Sequence, residues 1–271
     1  MEQKPISDSF EQGSPYERYI GRWSRSLAPK FLSWMDCPGG LMWLDVGCGT
    51  GALSAAVLNA CSPSLVVGAE PSRGFIKTAQ MNLAGRASLC QAVAQALPMR
   101  SGCFDVVVSG LALNFVPDPR AGLMEMFRVT KDGGSVGAYV WDYGGKMEML
   151  QAFWEVAIEL DPAASRLDEA PRFPVCRPGP LDDLFTSSGL SDVHVEGIEL
   201  QMRFVDFDDY WGPFLGGQGP APAYAMSLGE AARARLRERL RARLPIQPDG
   251  SIPLIARAWA VRGDVLKSDS R

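Results

Sequence analysis

The run Asp45-Val46-Gly47-Cys48-Gly49-Thr50-Gly51 combines one carboxylate with three glycines at alternate positions. Glycine lets the backbone approach a ligand closely, because no Cβ stands in the way. The carboxylate of Asp45 can accept hydrogen bonds from an amino-acid ammonium group or from the loop itself. The run therefore predicts a loop that binds a nucleotide-sized molecule.

This glycine loop lies between a predicted strand and a predicted helix. The apolar stretch Leu41 to Val46 predicts a buried strand, and the small-residue stretch Ala52 to Ala60 predicts a helix. A strand, a glycine turn and a helix N-terminus direct free N–H groups toward a bound nucleotide. The spacing Gly47-x-Gly49-x-x-Ala52 also fits the loose dinucleotide fingerprint, so the glycines alone leave an NAD-binding protein open.

Strands and helices alternate along the first half of the chain. A helix with Ser72 as its cap is predicted to extend to Asn82, and another begins at Pro117-Asp118-Pro119. Such alternation predicts an α/β fold with a doubly wound, parallel sheet and right-handed crossovers. The predicted strands after the glycine loop are Leu65 to Ala69, Ala87 to Val93, Phe104 to Ser109 and Ser135 to Trp141.

The second half of the chain follows a looser pattern. Helices are predicted from Met147 to Leu160 and from Leu181 to Ser188, with a loop up to Pro180 between them. Alternating residues predict strands from Val193 to Leu200 and from Ile255 to Val261. His194, the only histidine, is expected to be an ordinary strand residue.

An insertion at about residues 204–248 separates these two late strands. It contains an aromatic stripe at helical spacing, formed by Phe207, Tyr210, Trp211 and Phe214. Such a stripe predicts either core packing or a wall of the substrate pocket. A helix from Leu228 to Leu244 carries arginines beside its leucines, which predicts a solvated face or a site for an anionic substrate.

Composition limits the classes of function. The 271 residues carry a net charge of −4 and are 46% hydrophobic, which is unlike a basic nucleic-acid-binding domain. The six cysteines include no C-x-x-C pair, so we expect free thiols and no metal site. Neither a signal peptide nor a membrane-length apolar run is apparent, and we expect a cytoplasmic protein that binds no membrane.

We expect one structural domain overall. Residues 1–15 are predicted to be a disordered tail, and residues 16–145 a cofactor-binding core with an N-terminal cap helix. Residues 146–265 are predicted to complete the sheet and to carry the pocket insertion, and residues 266–271 form a second tail.

Spaced motifs in the correct order resemble the class I S-adenosylmethionine-dependent methyltransferases, in their ubiquinone/menaquinone-type (methyltransferase type 11) branch. The motifs are Asp45 to Gly51, the Ala-x-x-Leu-Pro run from Ala94 to Pro98, the fourth-strand signature Ser101 to Ser109, and the turn Arg128 to Gly134. The resemblance covers about residues 41–141. It implies S-adenosyl-L-methionine as cofactor and a Rossmann-like, seven-stranded, mostly parallel sheet with an N-terminal helical cap and a C-terminal insertion lid.

The expected cofactor site follows from these motifs. Glu70, after the second strand, is expected to accept hydrogen bonds from ribose hydroxyls, as in other doubly wound folds. Val93 replaces the family's acidic residue near adenine, so the adenine is expected to contact backbone groups around Ala94 and Gln95. The complete set of expected cofactor-binding residues is Tyr19, Arg25, Asp45, Gly47, Cys48, Gly49, Glu70, Pro71, Ala94, Gln95 and Ser109.

Methyl transfer from a sulfonium is an in-line displacement, for which the protein aligns the nucleophile and excludes water. Asp142 and Tyr143, just after strand five, are the candidate catalytic residues, although Asp142 alternatively caps the next helix. Leu113-Asn114-Phe115 stands where common members of the family carry Leu-His-His. The expected substrate-binding residues are Tyr16, Trp23, Asn114, Phe115, Trp141, Trp211 and Phe214.

The predicted function is S-adenosylmethionine-dependent methyl transfer to an O, N or C nucleophile of a small-molecule substrate. Three alternatives remain: a cofactor-retaining cyclase or isomerase on the same fold, an NAD(P)-dependent oxidoreductase, and a non-catalytic partner subunit. Asp45 and the Phe104-Asp105 strand favour the methyltransferase over the oxidoreductase, whereas Val93 and Asn114 weakly support the partner subunit. The acceptor and the oligomeric state do not follow from the sequence.

Overall fold

A computed structural model describes residues 17–217 and 219–266. Tyr16, the tail predicted over residues 1–15 and residues 267–271 of the second predicted tail lie outside the described residues. The chain divides into two compact units, each assembled from three segments. We call Trp23–Trp141, Val175–Ile198 and Ala258–Arg271 the sheet unit, and Met1–Arg22, Asp142–Pro174 and Glu199–Arg257 the helical unit.

The chain forms one sheet of seven strands. The strands are β1 (Met42–Val46), β2 (Leu65–Glu70), β3 (Ser88–Gln91), β4 (Phe104–Gly110), β5 (Thr130–Trp141), β6 (Ser191–Phe204) and β7 (Ile252–Asp264). Their order is β3-β2-β1-β4-β5-β7-β6. Neighbouring strands from β3 to β5 are parallel, and β7 is antiparallel to β5. The predicted seven-stranded, mostly parallel α/β fold is confirmed.

Helices connect the strands and make up much of the helical unit. They are α1 (Arg22–Met35), α2 (Ala52–Ala60), α3 (Arg73–Leu83), α4 (Pro119–Val129), α5 (Glu148–Leu160), α6 (Glu169–Arg172), α7 (Pro178–Ser187), α8 (Phe207–Trp211), α9 (Pro220–Ser227) and α10 (Glu230–Arg243). A single π-helical turn, Glu17–Gly21, precedes α1. No helix among the described residues is long and apolar enough to cross a bilayer.

Two predicted helix starts are confirmed by their capping contacts. The hydroxyl of Ser72 accepts a hydrogen bond from the Phe75 N–H at the start of α3. The carboxylate of Asp118 accepts one from the Ala121 N–H at the start of α4, whose first residue is Pro119. Both contacts satisfy backbone donors that a first helical turn leaves unpaired.

The prediction of a loop from residue 161 up to Pro180 is wrong. This stretch contains 3₁₀ turns at Pro162–Arg166 and Pro174–Cys176 and the short helix α6, and α7 already begins at Pro178. The side chain of Asp161 caps the turn Pro162–Arg166 by accepting from the Ala163 N–H, and that of Asp168 caps α6 by accepting from the Ala170 N–H. Short capped turns leave no helical periodicity in the sequence, which explains the error.

Other predicted boundaries differ by several residues. The first helix begins at Arg22 rather than near Tyr16, because the preceding residues form the π-helical turn. The stripe from Phe207 to Phe214 is helical only as far as Trp211 and continues as a 3₁₀ turn. Pro213 lies in this second turn and has no backbone N–H to continue the α-helical ladder.

The strand order reverses between β1 and β4. β1 pairs with β2 on one side and with β4 on the other, so the connections from their carboxyl ends lead away in opposite directions. In open α/β sheets this reversal leaves a crevice outside the carboxyl ends of the strands, where ligands bind. The crevice of the sheet unit is therefore bordered by the glycine loop after β1 and by the residues after β4.

Candidate functional site

The glycine loop bends tightly after β1. Gly47 and Gly51 have φ angles of 72° and 89°, in the left-handed region that favours glycine. The N–H groups of Gly47 and Cys48 both donate to the Ala69 carbonyl oxygen, at 2.8 and 3.1 Å. A Cβ on Gly47 would lie 2.6 Å from the Cβ of Ala112, so no side chain fits there without a shift of the backbone. The loop is thus held against the end of β2.

Asp45 is a buried carboxylate at the end of β1, with only 1% of its surface exposed. Its Oδ2 accepts a hydrogen bond of 2.7 Å from the Ser54 hydroxyl of α2. Its Oδ1 is buried and has no hydrogen-bond partner within the described part of the chain. Burial raises the pKa of Asp45 to about 7, while the Ser54 hydrogen bonds oppose the shift. One oxygen of Asp45 is therefore available to a donor from a ligand.

Glu70 at the end of β2 is fixed by two backbone groups. The Gly49 N–H donates to Glu70 Oε2 at 3.0 Å, and the Ser72 N–H donates to Oε1 at 2.8 Å. Burial raises the pKa of Glu70, and these two hydrogen bonds oppose the increase. Each carboxylate oxygen has a second lone pair, so this arrangement leaves room to accept hydrogen bonds from a diol.

The thiol of Cys48 points away from the loop and onto β2. It lies only 2.8 Å from where a Cβ would be on Gly68, so the thiol fills the space that this glycine leaves. Burial raises the pKa of Cys48 well above its ordinary value. A buried, protonated thiol is a packing group rather than a nucleophile. Cys48 therefore contributes to the loop through its backbone.

The loop after β3 is held in place by an ion pair on α4. The guanidinium of Arg128 donates to the carbonyl oxygens of Leu97 and Met99, at 3.0 and 2.8 Å. The carboxylate of Glu125 accepts from Arg128 and also from the Leu97 N–H at 2.8 Å. Ala94 and Gln95 belong to this loop, and Val93 is 49% exposed. The turn motif at Arg128 thus has a role that the sequence pattern alone did not reveal.

The end of β4 brings further predicted residues to the same crevice. Ser109 is buried in β4, and Asn114 is buried in the 3₁₀ turn Leu113–Phe115 that follows. Asn114 Nδ2 has no partner in residues 17–217 and 219–266. Ala112 contacts Gly47, so this turn lies beside the glycine loop. The predicted substrate residues Asn114 and Phe115 are therefore close to the predicted cofactor residues.

Three other predicted residues also belong to the sheet unit. Trp23 is buried and Arg25 exposed near the start of α1, and Trp141 is buried at the end of β5. Later in α1, the ring of Phe31 packs against Tyr139 of β5 with ring centroids 4.6 Å apart. This contact fixes α1 on the sheet.

The remaining predicted residues belong to the helical unit. Asp142 is 4% exposed and accepts two hydrogen bonds from the Arg257 guanidinium at 2.8 and 2.5 Å, both to Oδ2. Its Oδ1 accepts from the Gly145 N–H at 2.9 Å. Both oxygens of Asp142 are thus engaged by the protein. Tyr143 packs against Phe173, with ring centroids 5.9 Å apart.

Phe214 lies at the centre of an aromatic cluster in the helical unit. Its ring stacks on Phe153 with centroids 4.6 Å apart and meets the edge of Tyr19 at 5.5 Å. Trp211 and Tyr210 contact the same ring. The helical unit therefore contains Tyr19, Tyr143, Trp211 and Phe214, whereas the glycine loop belongs to the sheet unit.

Three residues with important contacts were not singled out from the sequence: Ser54, Glu169 and Arg257. Ser54 is one turn into α2, and its contact with Asp45 spans nine residues. Arg257 lies within an otherwise apolar run of β7, which is a weak signal of a buried ion pair. Glu169 lies in the stretch expected to be a loop, and no sequence pattern marks it.

Comparison with known proteins relates part of this chain to methyltransferases. Residues 44–137 match the family model described as a methyltransferase domain. The demethylmenaquinone methyltransferase of Anoxybacillus flavithermus is 36% identical over 139 residues, covering 48% of this chain and 56% of that protein. This part of the chain is therefore similar to class I S-adenosylmethionine-dependent methyltransferases of the ubiquinone/menaquinone type. The chain spans about half the length of the curated relatives it matches.

Several solved structures are similar to this chain in fold. The phosphoethanolamine N-methyltransferase 2 of Haemonchus contortus, in complex with S-adenosyl-L-methionine, has a TM-score of 0.57 and 15% identity, covering 94% of this chain and 56% of that chain. The [4+2]-cyclase SpnF has a TM-score of 0.54 and 16% identity, covering 89% of this chain and 82% of that chain. At such identities the likeness is one of fold alone.

The cofactor of this family is S-adenosylmethionine, and the residues of the methyltransferase domain fit it. Asp45 Oδ1 is a buried acceptor without a partner, which suits the ammonium group of the methionine moiety. Glu70 has two carboxylate oxygens that each retain a lone pair beside one backbone donor, which suits a diol such as that of a ribose. Gly47 lets the loop approach Ala112 closely, because no side chain stands between them. Within the part of the chain that the structure describes, no group of three or more His, Cys, Asp or Glu residues could hold a metal ion.

Proposed function

We propose that this protein is an enzyme that transfers the methyl group of S-adenosylmethionine to a quinone-type small molecule. The observation that carries the proposal is the pair of carboxylates at the ends of β1 and β2. Asp45 and Glu70 flank the glycine loop, and Asp45 retains one buried oxygen without a partner among the residues described. The likeness to a demethylmenaquinone methyltransferase supports the quinone-type acceptor.

When bound, S-adenosylmethionine supplies an electrophilic methyl group activated by the sulfonium charge. Asp45, oriented by Ser54, would bind the ammonium group, and Glu70 would bind the ribose hydroxyls. Backbone groups near Ala94 and Gln95, held by Glu125 and Arg128, would bind the adenine. This chain's own residues thereby fix the position of the cofactor relative to the sheet unit.

The candidate catalytic residues have different environments. For Asp142 we propose a structural role, because Arg257 and the Gly145 N–H already occupy both carboxylate oxygens. Tyr143 stays a candidate for contact with the acceptor, and so do Trp211 and Phe214 of the aromatic cluster. Methylation of a quinol releases one proton, which a carboxylate or water can accept, so the reaction does not require a histidine base.

Calorimetric titration with S-adenosylhomocysteine tests the cofactor site. We expect wild-type protein and the control Asp183→Asn, which alters an exposed carboxylate of the same unit, to bind it equally. Asp45→Ala should lose at least about tenfold in affinity, because a charge-assisted hydrogen bond is removed. Unchanged affinity in Asp45→Ala contradicts the proposed cofactor site, and tight NADH binding alone identifies an oxidoreductase instead.

Activity is tested with a 1,4-naphthoquinol that lacks the ring methyl group. We expect S-adenosylhomocysteine and methylated quinol to form in equal amounts. Conversion of an acceptor without release of S-adenosylhomocysteine identifies a cofactor-retaining cyclase or isomerase. A protein that binds no nucleoside at all identifies a non-catalytic partner subunit.

A further inference from the structure

The helix α10 concentrates positive charge in the helical unit. Its sequence over Glu230–Arg243 contains six arginines and two glutamates, so its formal charge is +4. The whole chain, by contrast, has a formal net charge of −4. A local asymmetry of charge of this kind is a feature of surfaces that bind anionic partners.

Neighbouring carboxylates neutralise only part of this charge. Arg243 forms ion pairs of 2.7 Å with Glu155 and with Glu159. Arg237 forms one of 2.9 Å with Asp208 and one of 3.0 Å with the next residue along the helix. The arginines of α10 without a carboxylate partner among residues 17–217 and 219–266 are Arg233, Arg235, Arg239 and Arg241.

The buried face of α10 determines which arginines lie on its outward side. Leu236 and Leu240 are completely buried. Because successive helical residues are rotated by about 100°, Arg235, Arg239 and Arg241 fall away from this buried face, and all three are exposed. The short side chains between them on the outward side are Ala231, Ala234 and Ala242. A flat anionic surface can therefore approach several guanidinium groups at once.

The spacing of the arginines also places like charges beside one another. Arg235 and Arg239 are four residues apart, and so are Arg233 and Arg237. Like charges at this spacing on a helix repel and destabilise it. An anionic partner along the outward side removes this repulsion, whereas water only screens it.

Apolar side chains are exposed next to the start of α10. Met226, near the end of α9, is 45% exposed, and its Sδ accepts a hydrogen bond of 3.3 Å from Arg233. Leu215, in the 3₁₀ turn Gly212–Gly216, is 44% exposed. A Cβ on Gly217 would lie 3.9 Å from Met226 Cγ, so the end of that turn lies beside Met226. Basic and large apolar side chains therefore share one part of the surface of the helical unit.

We propose that α10, together with Leu215 and Met226, docks the helical unit on the surface of an anionic lipid bilayer. The arginines without carboxylate partners contact anionic headgroups, and the two apolar side chains enter the boundary between headgroups and acyl chains. A nucleic acid would satisfy the arginines but would leave these apolar side chains in water. The proposal differs from the expectation, drawn from the sequence, of a protein that binds no membrane.

This docking surface includes none of the proposed cofactor residues, so it does not depend on the proposed function. It adds a consequence to that function, however. A bilayer dissolves apolar molecules, so docking places the enzyme where an apolar quinone-type acceptor is found.

Sedimentation of the full-length protein with lipid vesicles tests the surface. One set of vesicles contains phosphatidylcholine alone, and the other contains equal amounts of phosphatidylcholine and phosphatidylglycerol. We expect binding to the anionic vesicles to be at least about tenfold tighter than to the neutral ones, and to weaken as salt is added. Equal binding to both kinds of vesicle, or to neither, contradicts the proposal.

The double variant Arg235→Gln, Arg239→Gln should bind the anionic vesicles at least about tenfold less tightly. The matched control is Arg100→Gln, Arg177→Gln, which changes the net charge equally at two exposed arginines of the sheet unit. It should reduce binding by about twofold or less, because exposed charges outside the contact are screened. A similar loss in both double variants would show a response to net charge alone and overturn the surface.

Met226→Gln distinguishes a bilayer from other polyanions. It keeps the approximate length of the side chain but makes it polar, so binding to the anionic vesicles should weaken about threefold or more. An RNA oligonucleotide is the comparison ligand. If RNA binds as tightly as the anionic vesicles do, and Met226→Gln affects neither, the surface recognises polyanions in general and the proposal is wrong.

Titration with S-adenosylhomocysteine separates this proposal from the proposed function. All of these variants should bind it as the wild type does, because none alters a proposed cofactor residue. A wild type that docks on anionic vesicles but binds no S-adenosylhomocysteine supports the surface and counts against the proposed function. Binding of S-adenosylhomocysteine without docking has the opposite meaning.

Discussion

Asp45 is the single residue on which the proposed cofactor site depends most, and its protonation state makes a distinctive prediction. Burial raises its pKa to about 7, so the ionised fraction in the free protein rises as the pH increases through neutrality. An ammonium group binds the ionised form more tightly. We expect affinity for S-adenosylhomocysteine to rise roughly tenfold between pH 6 and pH 8. Calorimetry across this range measures it, and Asp45→Asn should bind weakly with a flat profile; an equally steep profile in that variant contradicts the assignment.

Substitution of Gly47 can separate the effect of steric crowding on ligand binding from the effect of backbone strain on stability. In Gly47→Ala the new methyl group would lie 2.6 Å from Ala112, in addition to the strain of a positive φ. Gly85→Ala is the control, because Gly85 has a φ of 76° and nothing within 4 Å of its Cβ position. Both variants should lose about 1 kcal/mol of stability from strain, but only Gly47→Ala should lose binding of S-adenosylhomocysteine. Equal binding by the two variants, measured by calorimetry, would refute the role given to the close approach.

Among secondary-structure elements, α4 fixes the loop after β3 through Glu125 and Arg128. Arg128→Ala removes the hydrogen bonds to the Leu97 and Met99 carbonyl oxygens. We expect it to reduce the free energy of unfolding by about 1–2 kcal/mol, since the pair is partly exposed, and to weaken binding of S-adenosylhomocysteine. Arg120→Ala, on the same helix, is the control for urea denaturation, because Arg120 donates to one exposed carbonyl oxygen, that of Ser187, within the described residues. A similar small effect in both variants would contradict this role for Arg128.

The elements that could be predicted from the sequence are those with local signals. Ser72 and Asp118 mark helix starts because their side chains cap the backbone three residues later. The short helix α6 was missed because four residues are too few to display a period. The Phe104-Asp105 signature could be recognised in the sequence, but the contacts that Asp105 makes could not. Asp105 accepts from the Met42 N–H and from Lys131, which joins β4 to β1 and β5.

For the molecule as a whole, buried acids predict a falling stability with rising pH. Asp45 and Glu169 have pKa values of about 7 and 8, above their ordinary 3.8 and 4.5. The folded chain therefore binds more protons than the unfolded chain between these values, so the free energy of unfolding decreases as the pH rises through this window.

Each of these two acids should contribute a loss of about 1–3 kcal/mol between pH 5 and pH 8. Chemical denaturation at both pH values measures the loss. Glu169→Gln should flatten the dependence, whereas the exposed control Glu238→Gln should not. A free energy of unfolding that rises with pH over this range, or an equally steep dependence in Glu169→Gln, contradicts the raised pKa values of these two buried acids.

The succession of strands and helices along the chain, the glycine loop and the positions of Asp45 and Glu70 at strand ends follow from local patterns, because periodicity and turn chemistry depend on neighbouring residues. The order of the strands within the sheet does not, since it is set by pairing between distant segments. Contacts between residues that are distant in the chain do not follow from local patterns either. Tertiary packing creates the hydrogen bonds from Ser54 to Asp45, from Arg257 to Asp142 and from Trp154 to Glu169. The degree of burial, which raises the pKa of Asp45 and Glu169, arises from the same packing and has no counterpart in local spacing.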